Sequence, residues 1–267
     1  MAQSPPIVVV FAASDPTAGA GLQADLLALA ALGCHAATVL TAVTVQDTHG
    51  VLRMQAVDPD WVTHQARALL ADLPVAAFKL GVLACVANVA AVAQILAEHQ
   101  QTPVVFDPVL ASGRGDALSD DAVLAAMRDA LLPRTTVLTP NSLEARQLAG
   151  DAATADLAQC ARHLIGMGAR NVLITGTHEP TREVVNTLYA ASGVVREDRW
   201  PRLAGSYHGS GCTLASAIAA QLALGLEVPA AVQAAQDYAW RTLEAAFRPG
   251  SGQWIPDRLY ALRRAVR

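Results

Sequence analysis

The segment His208-Gly209-Ser210-Gly211-Cys212-Thr213 leads directly into an apolar run from 214 to 224. Glycines entering a helix N-terminus expose several backbone N–H groups, and the helix dipole adds partial positive charge there. Gly209, Ser210 and Gly211 therefore read as an anion hole for a transferring phosphoryl group, with a plain tight turn as the simpler alternative. It is not a Walker A loop, since Gly-Lys-Ser/Thr is absent from the chain. Cys212, in the first turn, is expected to carry a lowered thiol pKa and so to be chemically usable. A small residue chosen for close packing is the competing reading.

Two further clusters carry polar groups. Ser14-Asp15-Pro16-Thr17-Ala18-Gly19-Ala20-Gly21-Leu22-Gln23-Ala24-Asp25 follows an apolar run, and its small residues would let a ligand approach the backbone. Gly19-x-Gly21-x-x-Ala24 is a variant of the dinucleotide fingerprint, but it starts seven residues too late after Phe11. A long turn capped by Asp15 and Thr17 needs no ligand at all. Asp107-Pro108-Val109 and Thr139-Pro140-Asn141-Ser142-Leu143-Glu144 form the other cluster. Asn141 and Glu144 share a helical face and could hold a hydrated Mg²⁺ beside phosphate oxygens. On spacing alone an N-terminal cap with Glu144 at N3 is favoured.

Gln46 offers a donor and an acceptor together, which suits the edge of a nitrogen heterocycle. Lys79, inside the apolar run Phe78-Lys79-Leu80-Gly81, must be paired or snorkelling. His178 and the other scattered histidines read as structural. So do Arg258, Arg263, Arg264 and Arg267, as a solvated helix face.

The elements that must position these groups alternate. Apolar runs at 7–11, 37–45, 76–83, 103–107, 136–139 and 171–175 read as strands, and 184–189 with 194–199 as an antiparallel hairpin. Helical stretches fall at 21–32, 60–72, 86–99, 211–224, 229–247 and 256–267. This order predicts an α/β fold with a mostly parallel sheet covered on both faces, in a single domain spanning 1–267. Ligands of such sheets bind beyond the carboxyl ends of the strands, where the clusters above lie.

Composition excludes several classes. The chain has 267 residues, 53% hydrophobic and 16% charged, which rules out disorder. A net charge of −4 without a basic stripe argues against a nucleic-acid partner. Mean hydropathy is +0.32, yet no apolar run approaches the ~20 residues of a membrane span. Met1 to Pro6 carries no Lys or Arg, unlike a signal peptide. Cys34, Cys85, Cys160 and Cys212 form no CxxC pair, so a reducing cytoplasm is expected, with the first three as small buried hydrophobes.

Taken in order, Ser14–Leu26, Thr41-Ala42-Val43-Thr44-Val45-Gln46-Asp47-Thr48, Lys79-Leu80-Gly81, Asp107-Pro108-Val109, Leu138-Thr139-Pro140-Asn141 with Glu144, and the 208–213 segment resemble the hydroxymethylpyrimidine/phosphomethylpyrimidine kinase family of thiamine biosynthesis. The resemblance implies a ribokinase-like three-layer sandwich and a homodimer. It implies an ATP- and Mg²⁺-dependent kinase that phosphorylates a hydroxymethylpyrimidine and then its monophosphate. By the same resemblance Gln46 would read the pyrimidine, with Ala20, Asp25, Val82 and Val109 shaping or lining the pocket. Gly209, Ser210 and Gly211 would form the anion hole, and Cys212 would stand where many sugar kinases place a catalytic Asp. Asn141, Thr175 and Thr213 would serve ATP and its phosphates, and Asp107 and Glu144 the metal. Departures exist: Thr175-Gly176-Thr177-His178 replaces a frequent Lys-Gly-Gly-His, and Ala13 and Ala18 replace glycines. Ser112-Gly113-Arg114-Gly115 replaces Ala-Lys-Ser-Gly, so Arg114 is the expected substitute charge. A pyridoxal kinase of the same superfamily and a non-catalytic pyrimidine-binding protein are the alternatives.

Overall fold

The computed structural model describes residues 4–111, 118–150 and 156–265. The 112–115 segment with Arg114, together with Arg267, lies outside them. The chain begins β1 (Ile7–Ser14), α1 (Gly21–Ala31), β2 (His35–Gln46), β3 (Val51–Ala56), α2 (Pro59–Asp72), β4 (Val75–Leu80) and α3 (Val86–Ala97). It continues with β5 (Val104–Phe106), α4 (Asp121–Ala126), β6 (Val137–Leu138), α5 (Ser142–Ala149), α6 (Leu157–Gly166) and β7 (Asn171–Ile174). The hairpin β8 (Glu183–Ala190) and β9 (Gly193–Pro201) precedes α7 (Ser210–Ala223), α8 (Val228–Glu244) and α9 (Tyr260–Ala265).

Among the described residues one sheet runs β3-β2-β1-β4-β5-β6-β7-β8-β9. Pairings from β2 to β7 are parallel, and β2–β3, β7–β8 and β8–β9 are antiparallel. The unbroken apolar run of β1 explains the layering. Val9 and Phe11 enter one core with residues of α2 to α6, while Val8, Val10 and Ala12 enter a second with α1, α7 and α8. A strand's side chains alternate faces, so a strand buried on both sides must be apolar at every position. The three-layer expectation holds.

The sequence reading omits β3. Its residues Val51-Leu52-Arg53-Met54-Gln55-Ala56 form an edge strand with Leu52 69% exposed, so neither an apolar run nor a clean alternation marks it. Asp47 creates it locally, because its carboxylate accepts the amides of His49 and Gly50 and turns the chain back. The final helix is also shorter than expected, starting at Tyr260 after an irregular Ile255–Leu259 stretch. Among the described residues no helix is long and apolar enough to cross a membrane.

Candidate active site

Strands β1, β2, β4, β5, β6 and β7 end on one rim of the sheet, and the polar clusters follow them there. After β1, the Asp15 carboxylate accepts the amides of Thr17 (2.8 Å) and Ala20 (2.7 Å), while Gln23 bonds the Asp15 amide and Ser14. The chain therefore folds into a tight turn before α1, and Ala18 takes a left-handed φ of 57° where the resembled family has glycine.

This turn docks onto the start of α7. A Cβ at Gly19 would lie 2.2 Å from His208 Cδ2, and one at Gly209, whose φ is +80°, 1.9 Å from Gly19 O. Gly209 is needed for the close backbone approach and left-handed φ, and Gly19 to make room for the His208 ring. Arg258 fastens the junction from behind. Its guanidinium is buried and donates to Thr213 Oγ1 (2.9 Å), Ala18 O (3.2 Å), Gly19 O (2.5 Å) and Gly209 O (3.4 Å). The expected solvated face is thus corrected at Arg258: Pro256 and Asp257 precede the helix and turn this side chain inward. Arg263 does stay outside, over the Phe247 ring.

Gln46, at the end of β2, contacts His208, with 2.7 Å between its amide position and His208 Nε2. His208 Nε2 also lies 2.8 Å from Asp15 Oδ2. Burial would raise the Asp15 carboxyl, but the bonds from His208 and the Ala20 amide carry it below its usual range. His208, read as structural from sequence, is joined to two residues far away in the chain, and no linear spacing announces that. Thr41 Oγ1 donates to Val82 O, and Asn88 holds the carbonyls of Thr41, Val57 and Leu83, which sets the loop carrying Val82.

On the other side, Gly209 at the N-cap of α7 receives no side-chain cap. The amides of Ser210, Gly211 and Cys212 precede the first intrahelical bond and are left to the open end. Beneath Gly211 lies the buried Asp107, whose Oδ2 has no hydrogen-bond partner. Burial pushes the Asp107 carboxyl up, opposed by Lys79 and by the Cys212 thiol. The expectation of a lowered Cys212 pKa is overturned: burial raises it, with Asp107 and Asp25 adding to the shift and only Lys79 opposing. The half-buried thiol donates to a carboxylate instead of ionising at the helix end.

Lys79 is paired, not snorkelling. Its ammonium sits 2.9 Å from Asp25, fully buried, and Ser216 Oγ donates to the same carboxylate at 2.6 Å. Burial would discharge Lys79, but Asp25 holds it charged and its pKa rises. Asp25 thus lies beneath the site, shaping it through Lys79 without forming its wall. Thr213 is corrected as a phosphate group: its buried hydroxyl donates to Gly209 O and accepts from Arg258.

Asn141 and Glu144 form the capping box favoured on spacing. Asn141 Oδ1 accepts the amides of Leu143 and Glu144, and Glu144 Oε2 accepts that of Asn141. Glu144 does more than cap, because burial and the nearby Asp107 push its carboxyl up to about 8. Thr175 bridges to Asn141 by backbone bonds through Pro140 O and the Ser142 amide. Val109 is half-buried beside Asp107, and Ala20 likewise at the N-cap of α1. Cys34 and Cys160 are buried as expected, whereas Cys85 is only half-buried.

Asp107 and Glu144 are hard oxygen donors, and Asp107 Oδ2 has no partner in the protein, so the pair fits Mg²⁺. Among the described residues no three His, Cys, Asp or Glu side chains gather around a metal position. A cation here would need oxygens from a ligand and water.

A family model described as phosphomethylpyrimidine kinase matches residues 15–257. The chain is 41% identical over 266 residues to the hydroxymethylpyrimidine/phosphomethylpyrimidine kinase of Streptomyces coelicolor, covering 97% of this chain and 96% of that one. Among solved structures it resembles the Bacillus subtilis pyridoxal kinase in complex with ADP, with TM-score 0.88, 29% identity, and 98% and 100% of the two chains covered. It also resembles the Clostridium difficile phosphomethylpyrimidine kinase, with TM-score 0.77, 28% identity, and 90% and 99% covered. The six ordered motifs, the ribokinase-like sheet and a match over nearly the whole length agree: the chain belongs to the phosphomethylpyrimidine kinase family.

Proposed function

We propose that the chain acts as one kinase domain, transferring phosphoryl groups from ATP to 4-amino-5-hydroxymethyl-2-methylpyrimidine and then to its monophosphate. The carrying observation is the uncapped start of α7 directly above the orphaned Asp107 oxygen, an anion hole and a cation ligand on one strand-end rim. The amides of Ser210, Gly211 and Cys212 receive the transferring phosphoryl, Gln46 reads the aminopyrimidine edge, and Val82 and Val109 flank the ring. Asn141 and Thr175 face the nucleotide phosphates. Asp107 and Glu144 hold Mg²⁺, which when bound neutralises phosphate charge. Lys79 and Arg258 place two buried cations behind the hole and offset the lysine that Thr175 replaces. A cytoplasmic homodimer completes the reading, checked by sedimentation.

In the first step the hydroxymethyl oxygen attacks the γ-phosphorus, an O–P bond forms, and the bond to the β-phosphate oxygen breaks to release ADP. The hydroxyl proton passes to the Cys212–Asp107 pair: the thiol gives its proton to Asp107 and takes the substrate's. The second acceptor is already a phosphate anion and needs no base. Cys212→Ala is therefore expected to slow the first step by roughly 10²-fold and to spare the second. An unchanged first step removes the thiol from the mechanism.

The likeness to a pyridoxal kinase supports a second reading, pyridoxal as acceptor. Phosphorus NMR of products from Mg-ATP with the hydroxymethylpyrimidine, and with pyridoxal in parallel, separates them. Pyrimidine diphosphate is the expected product. Preferential pyridoxal phosphorylation overturns the reading, and monophosphate alone confines it to the first step.

A further inference from the structure

The four contacts that link Gln46, His208, Asp15, Thr44 and Ser14 are compatible with only one orientation of the Gln46 amide. His208 Nε2 meets Asp15 Oδ2 at 2.8 Å, and that carboxylate already accepts the Thr17 and Ala20 amides. An ionised carboxylate only accepts, so His208 Nε2 carries the proton. The Gln46 nitrogen, 2.7 Å from the same Nε2, would then set donor against donor. On the other flank, Thr44 Oγ1 donates its single proton to Ser14 O at 2.9 Å. It has none left for the Gln46 oxygen 3.2 Å away.

Exchanging the carboxamide oxygen and nitrogen resolves both conflicts at once. Amide orientation is assigned from its hydrogen-bond network, and here only one orientation satisfies every partner. Oε1 then accepts from His208 Nε2, which shares its proton with Asp15, and Gln46 Nε2 donates to Thr44 Oγ1. One acceptor site on the oxygen and one N–H on the nitrogen stay open.

We infer that His208 and Thr44 are positioning residues that lock the Gln46 carboxamide with its acceptor on the His208 side and its donor on the Thr44 side, and so set specificity for a heterocycle edge. The inference rests on the proposed pyrimidine acceptor. A 4-aminopyrimidine presents an amino donor next to the N3 acceptor and pairs with this edge. A 4-oxo-pyrimidine presents the reverse, a carbonyl acceptor beside N3–H, and meets like against like at both positions. Gly19 belongs to the lock, since any side chain there would displace the His208 ring. Asp15 fixes the proton on the ring nitrogen, and its own amide bonds hold it in place.

The test is calorimetric binding of the 4-amino-5-hydroxymethyl-2-methyl compound and its 4-oxo analogue to wild type, His208→Phe and Thr44→Val, without nucleotide. Wild type is expected to prefer the amino compound by roughly 100-fold, as for bidentate recognition of a base edge. Each variant frees the amide to rotate, so the preference should fall below about 10-fold, partly through tighter binding of the oxo compound. General loosening of the site would weaken both ligands together and leave the ratio intact, which overturns the lock. Thr44→Val carries the test if His208→Phe does not fold. Wild type that binds both compounds within about threefold also overturns it. Wild type that binds neither overturns the pyrimidine reading, and the lock with it.

Discussion

The two sides of the site are built on opposite terms. Around the Ser14–Gly21 turn the polar atoms have protein partners: Asp15 with Thr17, Ala20 and His208, Gln23 with Ser14 and Asp15, Arg258 with three carbonyls and a hydroxyl. At the start of α7 the protein leaves an orphaned Asp107 oxygen and an uncapped helix, beside a Glu144 carboxyl that burial and Asp107 push up to about 8 although its oxygens accept the Asn141 and Leu110 amides. A buried polar group without a partner costs free energy unless something else supplies one. The first side is therefore a finished surface for a neutral ring. The second is completed only by a cation and phosphates, whose arrival relieves the repulsion between Asp107 and Glu144.

Lys79 stands under both sides, so its removal should break the contrast most severely. Lys79→Met leaves Asp25 charged and buried and is expected to cost about 3–5 kcal/mol of stability in denaturant titrations. Replacing the pair together, as in Lys79→Met/Asp25→Leu, should cost clearly less. An equal cost for the double variant would show that the pair is not what Asp25 needs.

Gly209→Ala should damage the unfinished side while the turn beyond it persists. The added Cβ meets Gly19 O, so α7 must withdraw and its amides miss the phosphoryl group. A loss of about 10²–10³ in kcat is expected, as for removal of an oxyanion donor. A wild-type kcat would mean that these amides do not serve the reaction.

Mg²⁺ affinity sharpens the comparison through pH. Glu144 must lose its proton to bind a cation, and its carboxyl titrates at about 8. Below that value binding releases a proton, so log K for Mg²⁺ should climb with pH, by up to about one unit per pH unit, and level off above about 8. In Asp107→Asn the climb should move to lower pH, because the neighbouring charge that lifts Glu144 is gone. Ala18→Gly is the mildest change. It relieves a left-handed alanine on the finished side and should add about 0.5–1 kcal/mol of stability with activity unchanged.

Sequence reads some of this well and some not at all, for physical reasons. The apolar continuity of β1 announces a strand buried on both faces, and Asn141-x-x-Glu144 announces a cap, because both depend on neighbours in the chain. β3 hides because an edge strand needs little burial, and Arg53 and Gln55 interrupt its apolar residues. Arg258 and His208 hide because the contacts that draw them into the site reach far along the chain, 162 and 193 residues for His208 and up to 240 for Arg258. The Cys212 pKa is misread for a related reason: the helix start is local and visible, while the burial that outweighs it, with Asp107 after β5 adding to it, comes from packing against distant segments. Local chemistry is legible, and chemistry made by docking two loops is not.

The most direct test of this contrast is calorimetric titration of apo protein with the hydroxymethylpyrimidine and, separately, with ADP, each with and without Mg²⁺ between pH 7 and 9. Pyrimidine affinity is expected to be indifferent to both variables, while ADP binding should strengthen with Mg²⁺ and with rising pH. Pyrimidine binding that requires Mg²⁺, or ADP binding indifferent to it, would contradict a finished recognition side facing an unfinished phosphate side.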